Sequence, residues 1–119
     1  MVNDQLVTKT GLNPLHLAAQ KNMTLPMLYF RDRININSSD ELKSSALHWA
    51  AYMNSEQVVA YLLSDPRLNC LDGVDSEGNT PLMLAVTYGN TRVVRRLLIK
   101  GADRYIPNHA GKIPFQVAE

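Results

Sequence analysis

Short apolar phrases of one wording recur along this chain, separated by polar, turn-forming stretches. Asn13-Pro14-Leu15-His16-Leu17-Ala18-Ala19 returns as Ser45-Ala46-Leu47-His48-Trp49-Ala50-Ala51, then as Thr80-Pro81-Leu82-Met83-Leu84-Ala85-Val86, and faintly as Ile113-Pro114-Phe115-Gln116-Val117-Ala118. The central apolar residues Leu15, Leu47, Leu82 and Phe115 follow one another at intervals of 32, 35 and 33 residues. A period of this size marks an architecture in which one supersecondary unit repeats. A single unit cannot bury its own apolar face, so the units must stack.

The third unit states the plan most clearly. Asp75-Ser76-Glu77-Gly78 forms a turn, with Gly78 free to take positive φ. Thr80 is placed to cap a helix whose first position is Pro81, where a missing N–H costs nothing. Leu82, Ala85 and Val86 give that short inner helix one apolar face, and Tyr88-Gly89-Asn90 ends it. An outer helix follows with Val93, Val94, Leu97 and Leu98 as its buried stripe, and Gly101 stops it. The second unit repeats this with Val58, Val59, Leu62 and Leu63, and Asp65-Pro66 ends its outer helix.

Three departures stand out. Lys43 holds the place of Gly11 and Gly78, so either its turn differs or the lysine tolerates strain; the Leu68–Val74 finger carries a small insertion. In the first unit Pro26 falls near the start of the outer helix, tolerable only in the first turn, and Thr24 is expected to cap it ahead of Met27-Leu28-Tyr29-Phe30. The fourth unit has a hairpin (Asn108-His109-Ala110-Gly111) and the start of an inner helix, but stops at Glu119 without an outer helix. A terminal repeat needs a polar outer face, so the chain reads as a fragment of a longer protein. Residues 1–10 hold weak turn material and are expected to fray. The expected division is one domain over 1–119, with repeats at about 8–37, 38–72 and 73–106 and a partial one at 107–119.

Composition narrows the function. The 119 residues fit a single domain, and 45% apolar residues suffice for a core. A net charge of +1 supplies no field for nucleic acid. The longest apolar run, Val58-Val59-Ala60-Tyr61-Leu62-Leu63, is far below the roughly 18 residues of a membrane span. The N-terminus lacks a signal-peptide pattern, and the lone Cys70 offers no internal disulfide, so a cytoplasmic setting and a monomer are expected.

Little in the chain suggests chemistry. His16 and His48 take equivalent places in neighbouring repeats, about 10 Å apart at helix-packing distance, too far for one zinc ion; Met83 stands at the third such place. Each imidazole is expected to bond backbone or a helix-start hydroxyl. His109 reads as a turn residue and Cys70 as a small packed one. No nucleophile–base–orienter set, phosphate loop or paired carboxylate is legible, so no catalytic residue, metal or cofactor is expected. Arg92, Arg95, Arg96 and Lys100 form a basic stripe, read as a solvated convex face or as a contact for an acidic surface. Trp49, Tyr52 and Met53 lie in one inner-helix segment, with Thr87 and Tyr88 at the matching places of the third unit. Aromatic residues and methionine are interface-like types. The plainer alternative is that Trp49 fills a gap between repeats and the tyrosines shield it.

The unit pattern resembles ankyrin repeats over residues 11–118, and the resemblance implies an all-α solenoid of antiparallel helix pairs with protruding hairpin or turn fingers. Leu15-His16-Leu17-Ala18-Ala19-Gln20, then Leu47-His48-Trp49-Ala50-Ala51-Tyr52-Met53-Asn54, then Gly78-Asn79-Thr80-Pro81-Leu82-Met83-Leu84-Ala85-Val86 is similar, more narrowly, to the ankyrin region of the DHHC-type protein S-acyltransferases (palmitoyltransferases). That resemblance implies a region without acyl transfer of its own. It would recruit substrate proteins as an extended peptide over a tryptophan floor such as Trp49, on the cytosolic face of an internal membrane such as Golgi or endoplasmic reticulum. The expected function is binding of a partner or substrate peptide on the concave face of the stack, at Trp49, Tyr52, Met53, Thr87 and Tyr88, rimmed by Ser76, Glu77 and Asn79. Two other readings stand beside it: a spacer or intramolecular dock, and the ankyrin module of a soluble signalling or transcription protein.

Overall fold

Seven helices appear in the computed structural model, which describes residues 11–117 of the chain. They are α1 (Pro14–Lys21), α2 (Thr24–Phe30), α3 (Ala46–Met53), α4 (Glu56–Ser64), α5 (Pro81–Thr87), α6 (Thr91–Lys100) and α7 (Pro114–Val117). Odd-numbered helices are the inner row, α1 against α3, α3 against α5 and α5 against α7. The outer helices stack behind them, α2 on α4 and α4 on α6. The result is an all-α solenoid 45 Å long and 25 by 22 Å across. Among the described residues the fingers hold one isolated antiparallel bridge, Ser39 with Ser45, and no strand. The expected fraying of residues 1–10 lies outside the described residues.

Each inner helix starts where the recurring phrase says it should. The side chains of Asn13, Ser45 and Thr80 accept the N–H of His16, His48 and Met83, satisfying donors that a helix start leaves open. In α1 and α3 the histidine closes the box by accepting the cap residue's own N–H. The leucines and alanines behind these caps are the core: Leu15, Ala19, Leu47, Ala50, Ala51, Leu82 and Ala85 are all buried. On the outer row Val58, Val59, Leu62 and Leu63 are buried, whereas only Val93 and Leu97 of the α6 stripe are. Val94 and Leu98 remain half-buried because no outer helix follows α7 among the described residues; they line an apolar hollow of about 500 Å³ at this end of the stack.

Thr24 does not cap α2. It is the first helical residue, Met23 precedes it as cap, and no side chain bonds the helix start. Pro26 thus sits in the first turn, where its missing N–H is harmless. Of the three outer helices α2 buries the fewest side chains, Met27 alone.

The fingers are built by one device, repeated. Asp40 Oδ1 accepts the N–H groups of Leu42 and Ser44, each at 2.9 Å. Asp75 Oδ1 does the same for Glu77 and Asn79, and Asn108 Oδ1 for Ala110 and Lys112. Three residues after each of these stands a residue with positive φ: Lys43 at 62°, Gly78 at 81° and Gly111 at 79°. The lysine therefore keeps the same turn and bears the strain. Successive fingers are joined by Ser76 N–H to Leu42 O at 2.9 Å and His109 N–H to Glu77 O at 3.0 Å. Lys43→Gly is expected to stabilise the chain by about 1 kcal/mol, since a left-handed conformation costs an L-residue roughly that much. Gly78→Ala is expected to destabilise it by more than that amount, because its Cβ would also lie 2.8 Å from the His109 nitrogen. Urea unfolding of the two variants checks both signs; equal midpoints would show that φ at this register is immaterial.

Candidate functional site

Between the second and third fingers and the inner helices α3 and α5 lies an open groove of about 300 Å³. Its floor is aromatic. Trp49 and Tyr52 meet edge-on at 6.0 Å between ring centroids, and Tyr52 meets Tyr88 at 4.7 Å with the planes 83° apart. Trp49 is half-buried and packs on the core, and its indole N–H donates to Asp40 Oδ2 at 2.9 Å. Tyr52 and Tyr88 are exposed. Trp49 ties α3 to the second finger and also lines the groove. Ser76 and Glu77 form the wall on the third finger.

Three expected site residues stand apart from the groove lining. Met53 and Thr87 are exposed near the ends of α3 and α5, and the Thr87 hydroxyl donates back to Met83 O at 2.7 Å. Asn79 serves the stack: its N–H goes to Asp75, its carbonyl accepts from His48, and its side-chain oxygen accepts from Asn108. Leu42, Ser44, Asp75 and Leu84 line the groove and were not anticipated. Leu42, an apolar residue within a polar turn and more than half exposed, was the available signal.

The histidines are structural. His16 Nε2 donates to Ser38 O at 2.9 Å and His48 Nε2 to Asn79 O at 3.0 Å, each joining an inner helix to the following finger. Their Nδ1 atoms accept the N–H of Asn13 and Ser45. Burial, above all, pushes both imidazoles below their ordinary pKa, outweighing the backbone bonds and the carboxylates of Asp40 and Asp75. Both rings are therefore neutral near pH 7. Cys70 packs half-buried against the core, and burial pushes its thiol up, away from thiolate chemistry. No group of His, Cys, Asp and Glu among the described residues is placed to hold a metal. In the basic stripe, Arg92 and Arg96 reach Glu56 of the preceding outer helix at 3.8 and 3.4 Å, so part of its charge is spent between repeats.

Stacked helix pairs, periodic Asx-built fingers and an aromatic groove between them are one architecture, and the sequence comparison agrees. Residues 15–108 match the family described as ankyrin repeats (3 copies), and the chain belongs to that family. Among individual proteins it is 30% identical over 125 residues to palmitoyltransferase AKR1 of Saccharomyces cerevisiae, an alignment covering 100% of this chain and 15% of that protein. It is 36% identical over 107 residues to transient receptor potential cation channel subfamily A member 1 of Homo sapiens, covering 85% and 9%. It is 34% identical over 77 residues to synphilin-1 of Mus musculus, covering 63% and 8%. The chain spans a minor part of the length of each. Palmitoyltransferases AKR1 of Lachancea kluyveri and Candida glabrata are similar as well, in keeping with the narrower resemblance in the recurring phrases. Among the described residues no helix is long and apolar enough to cross a membrane.

Proposed function

We propose that this chain is a protein-binding module that takes an extended peptide in the groove between its fingers and inner helices. The supporting observation is the exposed Tyr52–Tyr88 pair beside Trp49. Two tyrosines left open on a surface whose core is already filled by leucine and alanine are better explained by a partner than by packing. Trp49, Tyr52 and Tyr88 are the floor and Ser76 and Glu77 the wall, with Met53 and Thr87 beyond the groove as outer contacts and Asn79 as support. We further assign the module to the substrate-recruiting ankyrin region of a membrane palmitoyltransferase, where it performs no acyl transfer itself. The likeness to the AKR1 proteins supports that assignment.

Tyr52→Ala combined with Tyr88→Ala tests the groove. Peptides selected on the wild-type chain from a displayed random library are expected to bind this variant with at least about 2 kcal/mol less free energy, roughly thirtyfold in Kd. The variant itself is expected to lose only about 1 kcal/mol of stability, the worth of an aromatic pair. Unchanged affinity in the folded variant removes the groove reading. The reading frame that encodes the chain tests the wider assignment: several apolar segments of about 20 residues and an Asp-His-His-Cys motif support it, and their absence ends it.

A further inference from the structure

The groove is chemically one-sided. Its charged lining residues are Asp75 and Glu77, and no lysine or arginine lines it. The one basic-capable side chain there, His48, is buried with its Nε2 proton on Asn79 O. Lys43, beside Leu42 at the finger tip, is exposed and does not line it. Behind Trp49 the Asp40 carboxylate, fixed by two finger N–H groups and the indole, adds more negative charge to the same side. Asp75 spends Oδ1 on the turn, whereas the exposed Glu77 carboxylate is engaged by no other described residue. The chain as a whole is nearly neutral, with a net charge of +1, so this is a local property of the groove.

We propose that the occupant of this groove is an extended peptide carrying a lysine or arginine next to an apolar residue. The cation sits against the tyrosine rings within reach of Glu77, and the apolar neighbour sits on Trp49 and Leu84. Aromatic faces attract a cation, Trp and Tyr best among side chains, and the carboxylates supply a complementary potential that an acidic peptide would meet as repulsion. The proposal rests on the groove being a peptide site.

The probe is a phage-displayed library of random 12-residue peptides, selected on the 119-residue chain, with the enriched sequences synthesised and titrated by fluorescence anisotropy. The enriched peptides are expected to share a Lys or Arg beside an apolar residue. Their affinity is expected to fall about three- to fivefold in Glu77→Gln, as for a partly exposed ion pair, and further in Glu77→Lys. It also falls when salt rises from about 0.05 to 0.5 M, as the Debye length shortens. Neutral or acidic peptides that lose binding in the Tyr52→Ala, Tyr88→Ala variant overturn the cationic occupant and leave the groove standing. Cationic peptides indifferent to Glu77 and to salt overturn it as well. Peptides indifferent to the tyrosine variant, or a library with no enrichment, overturn both readings.

Discussion

Leu47→Ala is expected to destabilise the chain by about 2–5 kcal/mol, a large share of the roughly 5–15 kcal/mol that holds a domain together. Leu47 is fully buried in α3, the middle inner helix, and α3 packs against α1 on one side and α5 on the other. Truncation there removes apolar contact and leaves a cavity shared by two inter-repeat faces, which neither neighbour can close without tilting the stack. Leu25, exposed on α2, provides the control: its alanine variant is expected to stay within about 0.5 kcal/mol of the parent. Urea or thermal unfolding followed by circular dichroism measures both, and a Leu47→Ala midpoint equal to that of Leu25→Ala would mean the stack does not depend on its central helix.

Mild acid is expected to produce the second large effect. His16 and His48 have folded pKa values lowered from 6.5, chiefly by burial. The unfolded chain therefore binds protons first, and stability is greatest above pH 6.5 and falls as the pH drops below it. The loss continues until the folded-state pKa values are reached. Its slope is at most about 1.4 kcal/mol per pH unit for each histidine. A geometric reason accompanies burial: each Nδ1 faces the N–H of its cap residue, so a proton there would set donor against donor. Asp65 acts in a separate window. The Arg67 hydrogen bond holds its carboxyl down to about 2 from 3.8, so its contribution is lost only as the pH falls through that range. Unfolding midpoints at pH 7.5 and 5.5 separate the two. His48→Met, which copies Met83 of the third unit, is expected to flatten the dependence. A stability that is level between those pH values would show that the imidazoles can charge in place.

Much of the fold was legible because its determinants are local. Thr80 with Pro81, Gly101 after Lys100, and Asp65 before Pro66 each act on the backbone within a few residues, and each bounds a helix as read. Where a local rule allows several outcomes, the surrounding structure chooses among them. Thr24 could cap α2, but a cap requires extended backbone, and here Met23 adopts it. Lys43 could have marked a different turn. The Asp40 side chain holds Leu42 and Ser44, and the bond from Ser76 to Leu42 O joins this finger to the next, so the lysine follows the register of its neighbours. The aromatic floor follows from the repeat register alone, whereas Leu42 of the second finger and Leu84 of α5 share the groove only because stacking sets that finger across from α5.

By itself the sequence determined the period, the caps, the apolar stripes and hence the ankyrin architecture, since these depend on spacing and backbone preference along the chain. Only the tertiary structure decided which exposed residues meet. Trp49 and Tyr52 belong to one unit, Tyr88 and Glu77 to the next, and they share a groove because helix stacking brings residues some 35 positions apart to within contact. The same stacking spends the charge of Arg96 on Glu56 and leaves Glu77 open. Distances between units are set by packing across the shared core, and no pattern within a single unit carries them.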